Sequence, residues 1–448
     1  MSDFLLDLHQ SLAHQGLAKS LDISIGMPTI FANLAASRSR HISSQKIAQL
    51  RLYFVLLFWF LLPFQIQNLH AENLCSVANL IGDQDAVLVA DHQGRIIVSK
   101  NADKKLIPAS TLKILTSLVA MHYLGPDYRF TTEFYLDNDS NLKIKGYGDP
   151  LLTSEILEEI SKALGSRLEA EHKKIKDIVL DDSYFKQPIT IPGISPSSQP
   201  YDAPNGALCA NFNTVYFKRL ENGKYVSAEE QTPLLPFALR KVKKSKMAMG
   251  RIVFSHKESE NTLYFGHLFK YFLEKQGIKS NGSIRLGRVN KDDRLVFKYM
   301  SGFSIKEIIS KLLEHSNNFM ANQLLIAAGA KLYGSPGTLD KGVLAAKNYA
   351  EKILNLKDLC IVEGSGISRQ NRISANSLHK ILEKFEPYHK LMHKSGREFY
   401  KTGTLDGIST RAGYIRNEKG GLYRFVVLIN TQGKSAKPIM NRLLKVLK

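Results

Sequence analysis

Three short runs of side chains in this 448-residue sequence have the residue types that acyl transfer needs. Ser110-Thr-Leu-Lys113 sets a hydroxyl three residues before an amine. Ser316-Asn-Asn318 pairs a hydroxyl with an amide, and Lys401-Thr-Gly403 adds a second amine beside a glycine. A serine hydroxyl is a weak nucleophile at neutral pH and works only with a base in reach. An ammonium cannot accept a proton, so Lys113 serves as that base only where desolvation or a second cation lowers its pKa. Lys401 could be that cation. Each run alone says little, since Ser43, Ser183 and Ser377 also precede a lysine by three and residues 259–261 and 374–376 repeat the second pattern. Their context and order separate them from chance.

Local patterning predicts what positions each run. Apolar residues at 112, 114–115, 118–119 and 121 suit a mostly buried helix that begins near Ser110. Free backbone N–H groups at a helix start favour an oxyanion, and the i, i+3 spacing places Lys113 on the face of Ser110. Ser316 falls between predicted helices at 304–314 and 318–332. Lys401 lies on a predicted strand, 398–404, where Gly403 would let a substrate backbone lie along the strand edge. Further strands are expected at 86–91, 95–100, 130–136, 142–146, 409–416 and 422–430, and helices at 154–164, 262–276 and 339–354. Ser435 precedes a closing helix with Pro438 in its first turn.

Strand pairs near both ends with helices between them predict an α+β fold, with one antiparallel sheet built from both ends of the chain. The catalytic domain would comprise 72–134 and 262–448, with an accessory domain, 135–261, inserted into it. Within that insertion Pro188, Pro192, Pro196, Pro200 and Pro204 recur every fourth residue, which excludes helix and central strand and leaves a long shaped loop. The cluster Arg240, Lys241, Lys243, Lys244, Lys246 and Arg251 reads as a solvated face or hairpin.

Composition bounds the function. Disorder is excluded by 44% hydrophobic residues, and three cysteines without a C-x-x-C exclude a disulfide scaffold or zinc ribbon. Thirteen histidines show no H-E-x-x-H or comparable spacing, so neither a metal nor a cofactor is expected. Residues 52–64 carry no charge, follow Arg38, Arg40, Lys46 and Arg51, and precede Leu69-His70-Ala71. Thirteen residues are too few to span a bilayer as a helix, so 1–71 reads as an extension plus secretory signal cleaved after Ala71, with an uncleaved anchor as the alternative. Losing its five cations and three anions lowers the net charge only from +20 to +18. That charge attracts polyanions without choosing among nucleic acid, anionic lipid and an acidic wall polymer.

Together the three runs match the set found in penicillin-binding proteins and class A β-lactamases. Over about 85–448 the chain resembles the class C low-molecular-mass penicillin-binding proteins, the D-alanyl-D-alanine carboxypeptidases of peptidase family S13. The likeness rests on Pro108-Ala-Ser-Thr-Leu-Lys113, Gly146-Tyr-Gly-Asp-Pro150, Leu180-Asp-Asp-Ser-Tyr-Phe185, Ala203-Pro-Asn-Gly-Ala-Leu208, His315-Ser-Asn-Asn318, Glu363-Gly-Ser-Gly-Ile-Ser-Arg369 and Lys401-Thr-Gly-Thr-Leu-Asp-Gly-Ile408. It implies a β-lactamase/transpeptidase-like domain, an antiparallel sheet flanked by helices, carrying an inserted accessory domain.

The resemblance also implies roles. Ser110 would attack the D-Ala–D-Ala carbonyl while Lys113 takes its proton, Ser316 would relay a proton to the leaving amine, and Asn318 would hold the substrate backbone. Lys401, Thr402 and Thr404 would receive the terminal carboxylate, with Gly403 lining the same strand, and the N–H groups of Ser110 and Thr404 would hold the oxyanion. Asp181, Asp182 and Arg369 are candidate contacts for the charged end of a stem peptide's diamino acid. Partners implied are peptidoglycan stem peptides, β-lactam antibiotics and a peripheral anionic membrane surface, without nucleic acid, in the periplasm; DD-endopeptidase activity would be a second use of the site. Two departures stand out: Asn317 occupies a position where Asp is common, and the Ser110–Ser316 interval is short, with room for one inserted domain.

Two rival readings exist. A serine β-lactamase is suggested by Glu351-Lys-Ile-Leu-Asn355, which spells the E-x-x-L-N of class A enzymes, but this run closes a predicted helix in which Ile353 and Leu354 read as core. The long insertion also exceeds what a compact β-lactamase should contain. A wall-binding protein with a silent site is the other, and the presence of every motif side chain argues against it.

Overall fold

The structure is a computed structural model that describes residues 76–447 apart from 171–173, 258 and 358. The expected signal segment, its cleavage site at Ala71 and Cys75 lie outside the described residues. Three groups of elements follow in chain order. The first is the hairpin β1 (Asp85–Ala90) and β2 (Ile96–Lys100) with helix α1 (Lys113–Tyr123). The second comprises β3 (Arg129–Leu136), β4 (Leu142–Gly146), α2 (Ser154–Ala170), β5 (Ile178–Asp181), β6 (Thr214–Arg219), β7 (Tyr225–Ser227), α3 (Pro236–Ser245), β8 (Met249–Val253), α4 (Glu260–Lys275), β9 (Ile284–Leu286) and β10 (Arg294–Ser304). The third comprises α5 (Ile305–His315), α6 (Asn318–Tyr333), α7 (Leu339–Leu354), α8 (Ala375–Phe385), β11 (His393–Ser395), β12 (Glu398–Leu405), β13 (Ile408–Arg416), β14 (Leu422–Ile429) and α9 (Lys437–Val446).

Both ends of the described chain build one six-stranded antiparallel sheet, ordered β11-β12-β13-β14-β1-β2. Its central strands are apolar at consecutive positions because both faces are covered. Alternate residues Ala86, Leu88, Val426 and Leu428 enter the main core with α1, α5, α6, α7 and α8. The intervening Val87, Val89, Phe425 and Val427 pack under α9 on the other face. This is the expected α+β arrangement.

The second group forms its own layer. A five-stranded sheet, β10-β3-β4-β5-β9, lies with α2 and α4 around a separate apolar core, and β7-β6-β8 form a small antiparallel sheet beside it. β3 and β10, the strands that enter and leave this layer, pair antiparallel with each other. The layer therefore runs from Arg129 to Ser304, past 135 and past 261, and α4 buries Tyr264, Phe265, Leu268, Phe269 and Phe272 in its core. Most of the basic cluster lies on the amphipathic helix α3, with Ala238 and Val242 buried and Arg240, Lys243 and Lys244 exposed, while Lys246 follows its end and Arg251 stands on β8. At the end of α7, Leu354 is buried as expected but Ile353 is 44% exposed, because the helix turns it 100° away from the core face.

Candidate active site

Ser110 sits in a single 3-10 turn, Ala109–Leu112, and Lys113 is the first residue of α1. In 3-10 geometry residues i and i+3 eclipse, so the two side chains point the same way, and Lys113 Nζ lies 2.9 Å from Ser110 Oγ. Ala109 holds a left-handed φ of +47°, a conformation that a side chain normally disfavours. Packing enforces it from two sides. A Cβ at Gly366 would fall 1.9 Å from the Ala109 carbonyl oxygen, and one at Gly403 would fall 2.8 Å from the Ser110 nitrogen. Gly403 is thus required by the backbone of Ser110 itself, a tighter demand than the access to substrate expected from sequence.

Lys113 is fully buried. Its Nζ is 2.8 Å from Asn318 Oδ1 and 2.7 Å from the Ser365 carbonyl, in addition to Ser110 Oγ. Burial pushes the amine well below its ordinary pKa, the charge of Lys401 pushes it the same way, and Glu363 pulls it back up. In its neutral form the amine would carry two N–H bonds and one lone pair. Lys113 Nζ donates to Asn318 Oδ1 and the Ser365 carbonyl, which can only accept; with the amine neutral, those two would take both N–H groups and leave the lone pair for the Ser110 hydroxyl. Lys401 is itself buried on β12, donates to the Thr402 carbonyl at 2.9 Å, and is lowered to about 8 by burial against the opposing charge of Glu314.

Two supports escaped the sequence reading. Glu363 is fully buried, and its carboxylate accepts from the N–H groups of Ser365, Gly366 and Ser368, from Ser365 Oγ, and from Asn322 and Asn371 Nδ2. It shapes the loop that delivers the Ser365 carbonyl to Lys113; its only sequence signal was an acid ahead of Gly-Ser-Gly. The proline-rich loop is the second support. The Tyr201 carbonyl accepts from Asn318 Nδ2 at 3.3 Å, and a Cβ at Gly193 would fall 2.7 Å from Ser368 Cα.

Comparison with known proteins shows the family. The sequence matches the family described as the D-Ala-D-Ala carboxypeptidase 3 (S13) family over residues 68–262 and 244–395. The chain belongs to the S13 family. It is 23% identical over 420 residues to a D-alanyl-D-alanine carboxypeptidase of Actinomadura sp. (strain R39), covering 77% of each chain. It is 24% identical over 404 residues to D-alanyl-D-alanine carboxypeptidase DacB of Haemophilus influenzae, covering 76% of this chain and 83% of the relative. It shares the fold of penicillin binding protein 4 (dacB) from Haemophilus influenzae, with a TM-score of 0.65 at 20% identity, over 81% of this chain and 94% of the other. The Haemophilus protein has also been solved in complex with a β-lactam.

The remaining expected residues of this S13 enzyme divide into two sets. Half-buried Ser316 ends α5 in a left-handed conformation, φ +54°, two residues before Asn318. Asn317 caps α6, its Oδ1 accepting from Met320 N at 3.0 Å, so an amide serves where Asp is common. Thr402 and Thr404 are exposed on β12, whose pairing with β11 stops at Tyr400, so among the described residues no strand covers that edge beside them. Arg369 is exposed and donates to the Asp406 carbonyl at the β12–β13 turn.

Asp181 and Asp182 belong to the second layer. Asp181 is buried and accepts from Ser183 N, Ser183 Oγ and Val289 N, and Asp182 accepts from Thr262 Oγ1 at 2.9 Å. Neither carboxylate shares a hydrogen bond with Ser110, Lys113 or Asn318. Glu351 is exposed on α7 and shares none with them either. Cys209 and Cys360 are free thiols, the first buried and the second exposed. Among the described residues no group of His, Cys, Asp and Glu could hold a metal ion, and no helix is long and apolar enough to cross a membrane.

Proposed function

We propose that this S13 enzyme is a D-Ala-D-Ala carboxypeptidase that works on peptidoglycan stem peptides through a Ser110 acyl-enzyme. The carrying observation is that buried Lys113 Nζ touches Ser110 Oγ and two groups that can only accept, Asn318 Oδ1 and the Ser365 carbonyl, so that the neutral amine keeps its lone pair for Ser110. Lys113 takes the hydroxyl proton as Ser110 Oγ attacks the penultimate D-Ala carbonyl. The N–H groups of Ser110 and Thr404 receive the oxyanion, and such a donor typically supplies about 2.7–4 kcal/mol. The proton passes by way of Ser316 to the departing amine of the terminal D-Ala. Water then hydrolyses the ester, with Lys113 again as base.

The uncovered edge of β12 supports docking of the substrate's C-terminal end there, its carboxylate against Lys401, Thr402 and Thr404. A cross-linked peptide presents the same D-Ala carbonyl with a longer leaving group, so DD-endopeptidase activity belongs to the proposal. So does penicillin inhibition, because a β-lactam's leaving group stays tethered in the path of water. Export to the periplasm through residues 1–71 completes it. A peripheral contact with anionic membrane agrees with the net charge of +20, and the catalytic reading does not depend on that contact.

Purified muropeptides test the reading. Pentapeptides should lose D-Ala and cross-linked dimers should yield monomers, while Ser110→Ala should lose both activities and labelling by penicillin. Release of neither product by the parent enzyme would sink the assignment. A penicillin adduct that turns over in well under a second would favour the β-lactamase reading instead.

A further inference from the structure

A side-chain amide presents an oxygen or an NH2 group depending on one rotation, and the two orientations have opposite consequences at Asn318. With Oδ1 toward Lys113, the amide accepts and the lone pair stays free. With Nδ2 toward Lys113, the amide would donate into that lone pair and occupy it. What selects between them is the Tyr201 carbonyl, which can only accept and faces Nδ2 at 3.3 Å.

Tyr201 lies in the short turn Pro200–Asp202, within the proline-rich loop, and the loop needs its own anchor. Internally, Asp202 takes the hydroxyls of Ser195 at 2.7 Å and Ser197 at 2.5 Å. Externally, buried Asn205 donates from Nδ2 to the Phe319 carbonyl and to Gln323 Oε1, both at 2.9 Å. Fully buried Gln323 returns the grip, donating from Nε2 to the Gly206 carbonyl at 2.6 Å. Phe319 and Gln323 stand on α6, the helix that Asn318 begins. The clasp therefore measures the loop's position from the same rigid element that carries the amide to be oriented.

We propose that Asn205 and Gln323 are positioning residues: their clasp fixes the proline-rich loop so that the Tyr201 carbonyl holds Asn318 Oδ1 toward Lys113. The inference rests on the acyl-enzyme reading given above. Gln323→Leu leaves the Gly206 carbonyl with only the weak Cys209 thiol donor, and Asn205→Ala leaves buried Gln323 Oε1 without its donor, so the loop shifts and the amide gains its second orientation. The charged groups beside Lys113 are Lys401 on β12 and Glu363 in its loop; neither is hydrogen-bonded to Asn205 or Gln323, so both stay constant across the comparison.

The test is the acylation rate of the full chain by a labelled penicillin, measured against pH and divided by the fraction of sites that can be titrated. Gln323→Leu and Asn205→Ala should each slow acylation roughly tenfold per active site. The acid limb of the profile should move to lower pH, because Oδ1 stabilises the ammonium form of Lys113 and is lost part of the time. The double variant should be little worse than either single one, since both break one clasp. A purely structural role would lower the titratable fraction and leave the rate and pH profile per site unchanged, which would overturn the inference. Should Gln323→Leu fail to fold, Asn205→Ala decides the question alone. A parent enzyme that takes no label would instead overturn the acyl-enzyme reading, and the inference with it.

Discussion

Lys113 and Glu363, a fully buried amine and a fully buried carboxylate, are joined by hydrogen bonds through Ser365. Its carbonyl lies 2.7 Å from Lys113 Nζ, while its N–H and hydroxyl each donate to Glu363 at 2.6 Å. A direct ion pair would hold Lys113 as an ammonium and disable it as a base. One interposed residue lets the carboxylate organise the loop while exerting only a weaker pull on the amine.

Glu363→Gln should separate those two effects. It removes the charge that draws the Lys113 pKa upward, so the acid limb of penicillin acylation should move to lower pH. It also weakens a buried network of six hydrogen bonds, at a cost of about 3 kcal/mol seen as a lower Tm. An acid limb displaced upward would contradict the arrangement.

Lys401 should govern both sides of the pH profile. Lys113 must be neutral, so activity falls on the acid side as it protonates; Lys401 must be charged to receive a carboxylate, so carboxypeptidase activity should fall as pH rises through about 8. In Lys401→Met the alkaline limb should disappear from kcat/KM. The acid limb should move upward, because the cation that depresses Lys113 is gone.

Two glycines behind Ser110 should differ from a third in an open place. Gly366→Ala sets a Cβ 1.9 Å from the Ala109 carbonyl oxygen at φ +82°, and should cost about 3 kcal/mol or more. Gly403→Ala meets Thr410 Oγ1 at 2.3 Å and Ser110 N at 2.8 Å, so penicillin labelling should fall together with Tm. Gly302→Ala meets nothing within 4 Å and should leave labelling unchanged, as gel fluorescence with a labelled penicillin can check.

Asp181→Asn distinguishes a structural carboxylate from a substrate contact. Loss of the charge-assisted bonds from Ser183 and Val289 should lower stability by about 1–3 kcal/mol. KM for stem peptides should stay at the parent value in the folded fraction. A raised KM with unchanged Tm would return Asp181 to the substrate site.

Local order was legible in the chain by itself. The spacing of Ser110 and Lys113, the helices at 304–314, 318–332 and 339–354, and the strand pairs at both ends were readable because they involve neighbours within a turn or two. Helix α8 was legible too, with Leu378, Ile381, Leu382 and Phe385 buried at helical spacing behind a Ser374 cap, but went unread. The tertiary structure decided everything that depends on meetings between distant segments. Lys113 meets Asn318, 205 residues away, and Ser365, 252 away, within a burial that no single segment specifies. The same meetings put Asp181 in a second layer, turned Ile353 to solvent, and made Gly403 a neighbour of Ser110. Side-chain type and short-range spacing set what a residue can do; the solvent exclusion and partner geometry that set its pKa and orientation arise only once the layers have packed.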